Sequence, residues 1–466
     1  MILAVAAALA IVSQDHTALR AAARSSAPEV MRLWQGELLE IRGESAGYTR
    51  VYDYHRERGG YVRSDMIHPV DSSPANAPQL LAVLRFLRDT PGFEALGISY
   101  GAAYIKAAPA TALTAEPLDA IARMTERLAD QASGAGAHVA EATAHLDAVE
   151  QFGIHTRSFE RNGRVRVCYD GEMYRRVLAL AGASAEERAH AALGLTRPDC
   201  VDPDLSPLLR TSVDSDHARL LDGIADGGLS ASTRIQLSLR RATVWAAVAY
   251  GQARAGLPPA VAAQRALDAL LAANAAELGD DRRVEYLDAL VRVSAVRWAA
   301  APLTSQTGPL VLTATSGEPG QTCLGLTQRD RRDTELAHRC TYGIVWLASA
   351  QTIAQGHALV LAVQPLAGWR ELWVFRAHAG GWTIDVLSPG VESLEAGYVD
   401  FAGFAPETNR LLIAREAKEH GGFRRRFEVL RLDDLAPVRQ ASTPELLLDF
   451  RRSQDPRWRR DTLALH

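Results

Sequence analysis

Two spacings and one pair of charge clusters in this chain could do chemistry, and each also has a plainer structural explanation. Asp199-Cys200 is the one Asp-Cys dipeptide in the sequence, and a cysteine becomes a nucleophile once its thiol ionises. Val201-Asp202-Pro203-Asp204 follows it. These acidic, proline-broken neighbours supply neither a helix N-terminus nor a cation to stabilise a thiolate, so a disulfide is the expectation for Cys200. His138, Glu141 and His145 fall at i, i+3 and i+7 of a predicted helix. They would set imidazole, carboxylate and imidazole on one face, a donor set that suits a divalent metal. A dinuclear carboxylate bundle needs a second Glu-x-x-His helix, and Glu187-x-x-His190 is the other helical candidate. With 13 histidines such spacings arise by chance, so solvated helix faces are expected, and no metal or cofactor is assigned. Arg424-Arg425-Arg426 and Arg457-Trp458-Arg459-Arg460 could hold an anionic polymer. The expectation is instead an edge strand protected by charge and a tail packing Trp458 against a sheet. No phosphate-cradling glycine loop, serine elbow or zinc-protease helix occurs, and no residue is assigned as catalytic.

The elements that must position these groups follow from length and pattern. A chain of 466 residues makes several ordinary domains. Its 47% apolar and 23% charged residues exclude a membrane channel and a disordered chain. A formal charge of -4 gives no general pull toward phosphate backbones, so no nucleic-acid partner is expected. Lys106 and Lys418 are the only lysines, and the abundance of arginine and alanine reads as genomic bias rather than selected recognition. Met1 to Val12 is an unbroken apolar run containing Ala8-Leu9-Ala10, which fits a short leader with a small-x-small cleavage site over residues 1–10. No Lys or Arg precedes it, so a buried first strand is the alternative. Export is the expectation, periplasmic or otherwise, with a cytoplasmic chain as the alternative. No stretch is long and apolar enough to predict a spanning helix. Four cysteines in an exported chain suggest disulfides, and Cys168 with Cys200 and Cys323 with Cys340 is the pairing that closes each loop locally.

Between Ile11 and Ile67 short alternating strands are punctuated by Gly36, Gly43, Gly47 and Gly59-Gly60, a small β-barrel pattern. Leu19-Arg20, Leu33 to Ile41 around Gly36, Tyr48-Thr-Arg-Val51 and Gly60-Tyr61-Val62 resemble, in order and spacing, a bacterial Src-homology-3-like (SH3-like) domain of the cell envelope. The resemblance covers the N-terminal domain only, about an eighth of the chain. It implies a binding module and, because such modules accompany cell-wall peptidases, a hydrolase or its regulatory subunit as the alternative function. The Asp53 to Arg58 hairpin is longer and more charged than the family's and suggests a surface for partners. The aromatics Trp34, Tyr48, Tyr52, Tyr54 and Tyr61 could line a groove, with Trp34, Tyr48, Tyr52 and Tyr54 the candidate ligand-binding residues and Tyr52 and Tyr54 on one strand face.

Residues 69–78 read as a proline-punctuated linker and 79–302 as an all-α helical array, interrupted by a hairpin near Arg157 to Tyr169. After Pro302 the period switches to two. Residues 303–440 are expected to form an antiparallel β domain, either propeller-like blades or a sandwich, and 441–466 a C-terminal helix and tail packed on the sheet. The whole reads as a multi-domain α and β chain, with the SH3-like barrel over 11–68. Its expected function is non-enzymatic binding or scaffolding, with an envelope protein or cell-wall polymer as partner.

Overall fold

The computed structural model describes residues 8–136, 138–161, 163–273, 279–303, 308–390, 396–420 and 422–463. Its contacts divide the chain into two units, Met1–Leu205 with Ile224–Ser230, and Ser206–Gly223 with Ala231–His466. The chain is a mixed α and β protein: strands first, helices in the middle, antiparallel sheets at the end.

The first unit opens with β1 (Leu9–Val12), β2 (Thr17–Arg20), β3 (Glu29–Leu33), β4 (Leu38–Ser45), β5 (Tyr48–Asp53), β6 (Arg58–Arg63) and β7 (Ile67–Val70). They form one antiparallel sheet in the order β3-β2-β6-β5-β4-β1-β7. The sequence pattern predicted a closed barrel, but β3 and β7 end this order without pairing to each other. Pro69 lacks an N–H to donate, which suits β7 to an edge. β1 accounts for the apolar character of Leu9–Val12. Ala10 and Val12 fill the sheet's own core, whereas Ile11 packs with residues of the helices that follow. A strand buried on both faces is apolar at every position. Leu9 and Ala10, expected beside a cleavage site, are strand residues paired to β4 and β7. Residues 1–7 of the expected leader lie outside the described residues.

Helices α1 (Ala77–Leu87), α2 (Glu94–Ala107), α3 (Ala115–Ala132) and α4 (His138–Glu150) follow, then the hairpin β8 (Thr156–Arg161) and β9 (Arg164–Tyr169), then α5 (Glu172–Ala179) and α6 (Ala185–Leu195). Leu118, Ile121, Met124 and Leu128 put the apolar stripe of α3 at the centre of this core. The sheet meets α2 at Gly36, whose φ of +90° few other residues adopt. A Cβ at Gly36 would stand 2.7 Å from the Ala95 carbonyl oxygen, and Ser99 Oγ donates to the Gly36 carbonyl at 2.6 Å.

The second unit contains α7 (Pro207–Asp222), α8 (Ala231–Arg254), α9 (Ala260–Ala272) and α10 (Asp280–Val296). The three-stranded sheet β10 (Leu310–Ser316), β11 (Thr322–Gln328) and β12 (Arg331–Thr341) comes next. Two four-stranded meanders follow: β13 (Ile344–Ile353), β14 (Ala358–Leu366), β15 (Trp369–His378) and β16 (Gly381–Leu387), then β17 (Gly397–Ala405), β18 (Arg410–Glu419), β19 (Gly422–Arg431) and β20 (Pro437–Ala441). A two-residue parallel pairing, Trp369 with Gly397 and Arg370 with Tyr398, joins the meanders into one eight-stranded sheet. Alternate residues face different layers. Leu359, Leu361, Trp373 and Phe375 pack on Leu310, Leu312, Leu324 and Leu326 of the three-stranded sheet. Their neighbours Val360, Leu372 and Val374 pack on Val399, Leu411 and Ile413 of the second meander. The far face of that meander, with Leu412, Phe427 and Val429, is covered by Leu447, Phe450 and Trp458 around α11 (Leu448–Ser453) and α12 (Pro456–Leu463).

Candidate ligand-binding site

The aromatics singled out in the first module lie in two different settings. Tyr52 and Tyr54 meet edge to face at 5.0 Å, with the Arg42 guanidinium 3.9 Å from the Tyr52 ring centre. Tyr54 is largely exposed, and its hydroxyl donates to Glu40 at 3.2 Å. Tyr48 is half-buried at the start of β5, opposite Ser45 and Arg63. Trp34 packs instead against His16 at 4.5 Å and the edge of His145 at 5.9 Å. In the charged hairpin Arg56 turns inward, pairing with Glu37 at 2.9 Å and Asp53 at 3.1 Å, both carboxylates buried, while Tyr54, His55, Glu57 and Arg58 are exposed. Burial raises the Glu37 carboxyl above its ordinary range despite Arg56.

The helical His138, Glu141 and His145 pattern is only partly assembled. His145 is buried, and its Nε2 lies 2.7 Å from Asp15 Oδ1, with Glu141 within reach of the same carboxylate. Asp15 lies between β1 and β2, and the Gln35 backbone N–H also donates to it at 3.0 Å. Burial alone would raise the Asp15 carboxyl, but the hydrogen bonds from His145 and Gln35 outweigh it and hold the group below its ordinary value. His138 is exposed, and among the described residues its ion-pair partner is Glu141, at 3.7 Å. Glu187 completes the capping box of α6 with Ser184, and His190 contacts Arg123. Cys168 bonds to Cys200 and Cys323 to Cys340, leaving no free cysteine. Asp199 is held by Arg166 and Arg197. Neither member of the Asp-Cys dipeptide is therefore available as a nucleophile.

The first arginine cluster pairs with acids of the neighbouring strand, and the second is anchored by its tryptophan. Arg424 and Arg426 face Glu419 across the β18–β19 ladder, and Arg425 faces Glu416 at 4.0 Å. Trp458 packs with Phe427 and Phe450 at 6.1 and 5.9 Å. Deeper in this unit one carboxylate, Asp400, serves two guanidiniums: Arg370, wholly buried, and Arg297 at 3.1 Å. Arg370 Nε and Nη1 have no hydrogen-bond partner among the described residues, and burial pulls its pKa down to about 10.

Sequence reasoning missed a cleft of about 850 Å³ at the open end of the second meander. Gly403 makes it possible. The Gly403 φ is +150°, and a Cβ there would stand 2.2 Å from the Ser453 carbonyl oxygen. With only a hydrogen present, residues 453–455 close onto β17: Gly403 bridges Gln454, and the Asp455 N–H donates to the Ala402 carbonyl at 2.8 Å. Asp455 then caps α12 through the N–H groups of Arg457 and Trp458 at 2.9 and 3.0 Å. Phe401 and Phe404 line the cleft with Glu407, Arg410, Arg439 and Arg452. Arg410 is tied to Asp449 at 3.4 Å, whereas Arg439 and Arg452 are exposed and form no ion pair among the described residues. The glycine in an aromatic strand before Pro406 was the one local signal. No protein-family model, curated protein or solved structure matches this chain, so function is read from geometry alone.

Proposed function

We propose that this protein binds a cell-wall polymer without altering it, in an exported, oxidising compartment, and that the cleft beside Gly403 is where it does so. The observation that carries this reading is the meeting, in one cleft, of the Phe401 and Phe404 rings with the exposed charges of Arg439, Arg452 and Glu407. Ring faces suit the C–H surface of sugars, and free charges suit acidic or peptide substituents. Both disulfides support an oxidising compartment. No described helix is long and apolar enough to cross a membrane. The N-terminal sheet is read as the SH3-like module that its sequence resembles. The first meander packs on the three-stranded sheet with one face and on the second meander with the other; three successive layers exceed the two of a sandwich and support a reading as propeller-like blades.

Sedimentation with insoluble cell-wall material tests the proposal on the full chain. Arg439→Glu with Arg452→Glu should weaken retention about tenfold or more, equivalent to ~1.4 kcal/mol. Tyr52→Ala with Tyr54→Ala should leave it unchanged, and no soluble fragments should be released. Retention lost only in the tyrosine variant would move binding to the first module. Lack of retention by the unaltered protein would end the proposal.

A further inference from the structure

The outward face of the three-stranded sheet carries a second cluster of donor atoms. β11 and β12 run antiparallel, with Cys323 opposite Cys340 and Gly325 opposite His338. Residues two apart share a strand face. Both sulfurs and the His338 ring therefore project to one side, away from Leu324 and Leu326 in the core. Cys340 Sγ lies 3.9 Å from His338 Nε2, and the donor atoms of the three residues all lie within 4.8 Å of one another. Gly325 opens room beside them. A Cβ there would stand 2.5 Å from Glu335 Oε1, so the Glu335 carboxylate lies across this glycine. His338 is exposed and Cys340 half-buried, whereas Cys168 of the other disulfide is buried.

We propose that Cys323, Cys340 and His338 form a zinc site that becomes available when their disulfide is reduced. The reductant is a small dithiol. The protein disulfide gains two electrons and two protons to give two thiols, and the dithiol loses both and closes to its own disulfide. Zn²⁺ then displaces the two thiol protons and takes two thiolates and the neutral imidazole nitrogen; thiolate donors select it over magnesium or calcium. With Zn–S of about 2.3 Å and Zn–N of about 2.0 Å, a tetrahedral ion holds its sulfurs about 3.8 Å apart and each about 3.5 Å from the nitrogen. The 3.9 Å between Cys340 and His338 is already within about half an ångström of that arrangement. Breaking the S–S bond supplies the remaining movement, as the sulfurs part. Water fills the fourth position, with the Glu335 carboxylate as its acceptor.

The test reduces the full-length protein with a dithiol, removes the reductant without oxygen, and titrates Zn²⁺ against a chromophoric chelator. Reduction should add one tight equivalent of zinc, and peptide mapping after alkylation should find Cys323 and Cys340 as the protected thiols. Cobalt in place of zinc should give a thiolate charge-transfer band with tetrahedral d–d bands. His338→Ala keeps the disulfide, so its folding is not at risk, and it should weaken zinc binding at least about tenfold. Three outcomes would each overturn the proposal: no equivalent gained on reduction, unchanged affinity in His338→Ala, or protection mapping to Cys168 and Cys200.

Discussion

Asp400 is the counter-ion of two buried guanidiniums, and removing it has a calculable cost. Arg370 is wholly buried and Arg297 nearly so, and both contact the same carboxylate. Asp400→Ala removes the carboxylate that both guanidiniums share in a buried site. Deleting one partner of a buried ion pair costs about 3–5 kcal/mol. For a unit of this size the melting temperature falls by roughly 6–20 °C. Arg370→Met is the matched control. It leaves Asp400 paired with Arg297 at 3.1 Å and removes a cation whose Nε and Nη1 have no partner among the described residues. Its unfolding free energy should stay within about 1 kcal/mol of the unaltered protein, or rise. Guanidinium unfolding followed by tryptophan fluorescence suits the comparison, because every one of the eight tryptophans except Trp34 belongs to the second unit. Equal costs for the two variants, or an Asp400→Ala cost below about 1 kcal/mol, would refute the shared-counter-ion account.

Two further outcomes concern the first unit. Asp15 has a folded pKa below its ordinary 3.8, so below pH 3.8 the unfolded chain binds the extra proton first. The stability from this carboxylate is present above that pH and is lost as pH falls through the folded value. Thermal melts at descending pH should show a steeper acid loss for the unaltered protein than for Asp15→Asn, and parallel curves would exclude the mechanism. Cys168→Ser with Cys200→Ser opens a loop of sequence separation 32, worth at most about 4 kcal/mol by chain entropy. The effect acts on the unfolded chain, while Arg157 and Arg161 still hold the Cys200 and Pro198 carbonyls in the folded one, so denaturant melts should show a loss of up to that figure. A larger loss would show that the bridge does more than close the loop.

What could be read from the sequence was local. The disulfide pairing followed from short loops, and Tyr52 and Tyr54 meet as strand alternation requires. Trp458 packs on the sheet as its place in an arginine-flanked tail suggested. Whatever depended on a distant partner was hidden. Asp15 reaches His145 across a separation of 130 residues, so the helix pattern named His138, which points elsewhere, and missed the carboxylate. β1 is apolar throughout because two cores claim its two faces. The cleft requires residues 453–455 to return to Gly403, an approach no local pattern encodes.

The interleaving of the two units also bears on how the chain is made. Residues 206–223 belong to the second unit, yet 224–230 belong to the first, where Ser230 bonds Glu186 and Gly228 lies near Ala185. During synthesis the first unit is therefore complete only after residue 230 has emerged, with α7 already in the open and waiting for partners not yet translated. For the same reason no single cut releases either unit whole, and recombination would have to carry both together.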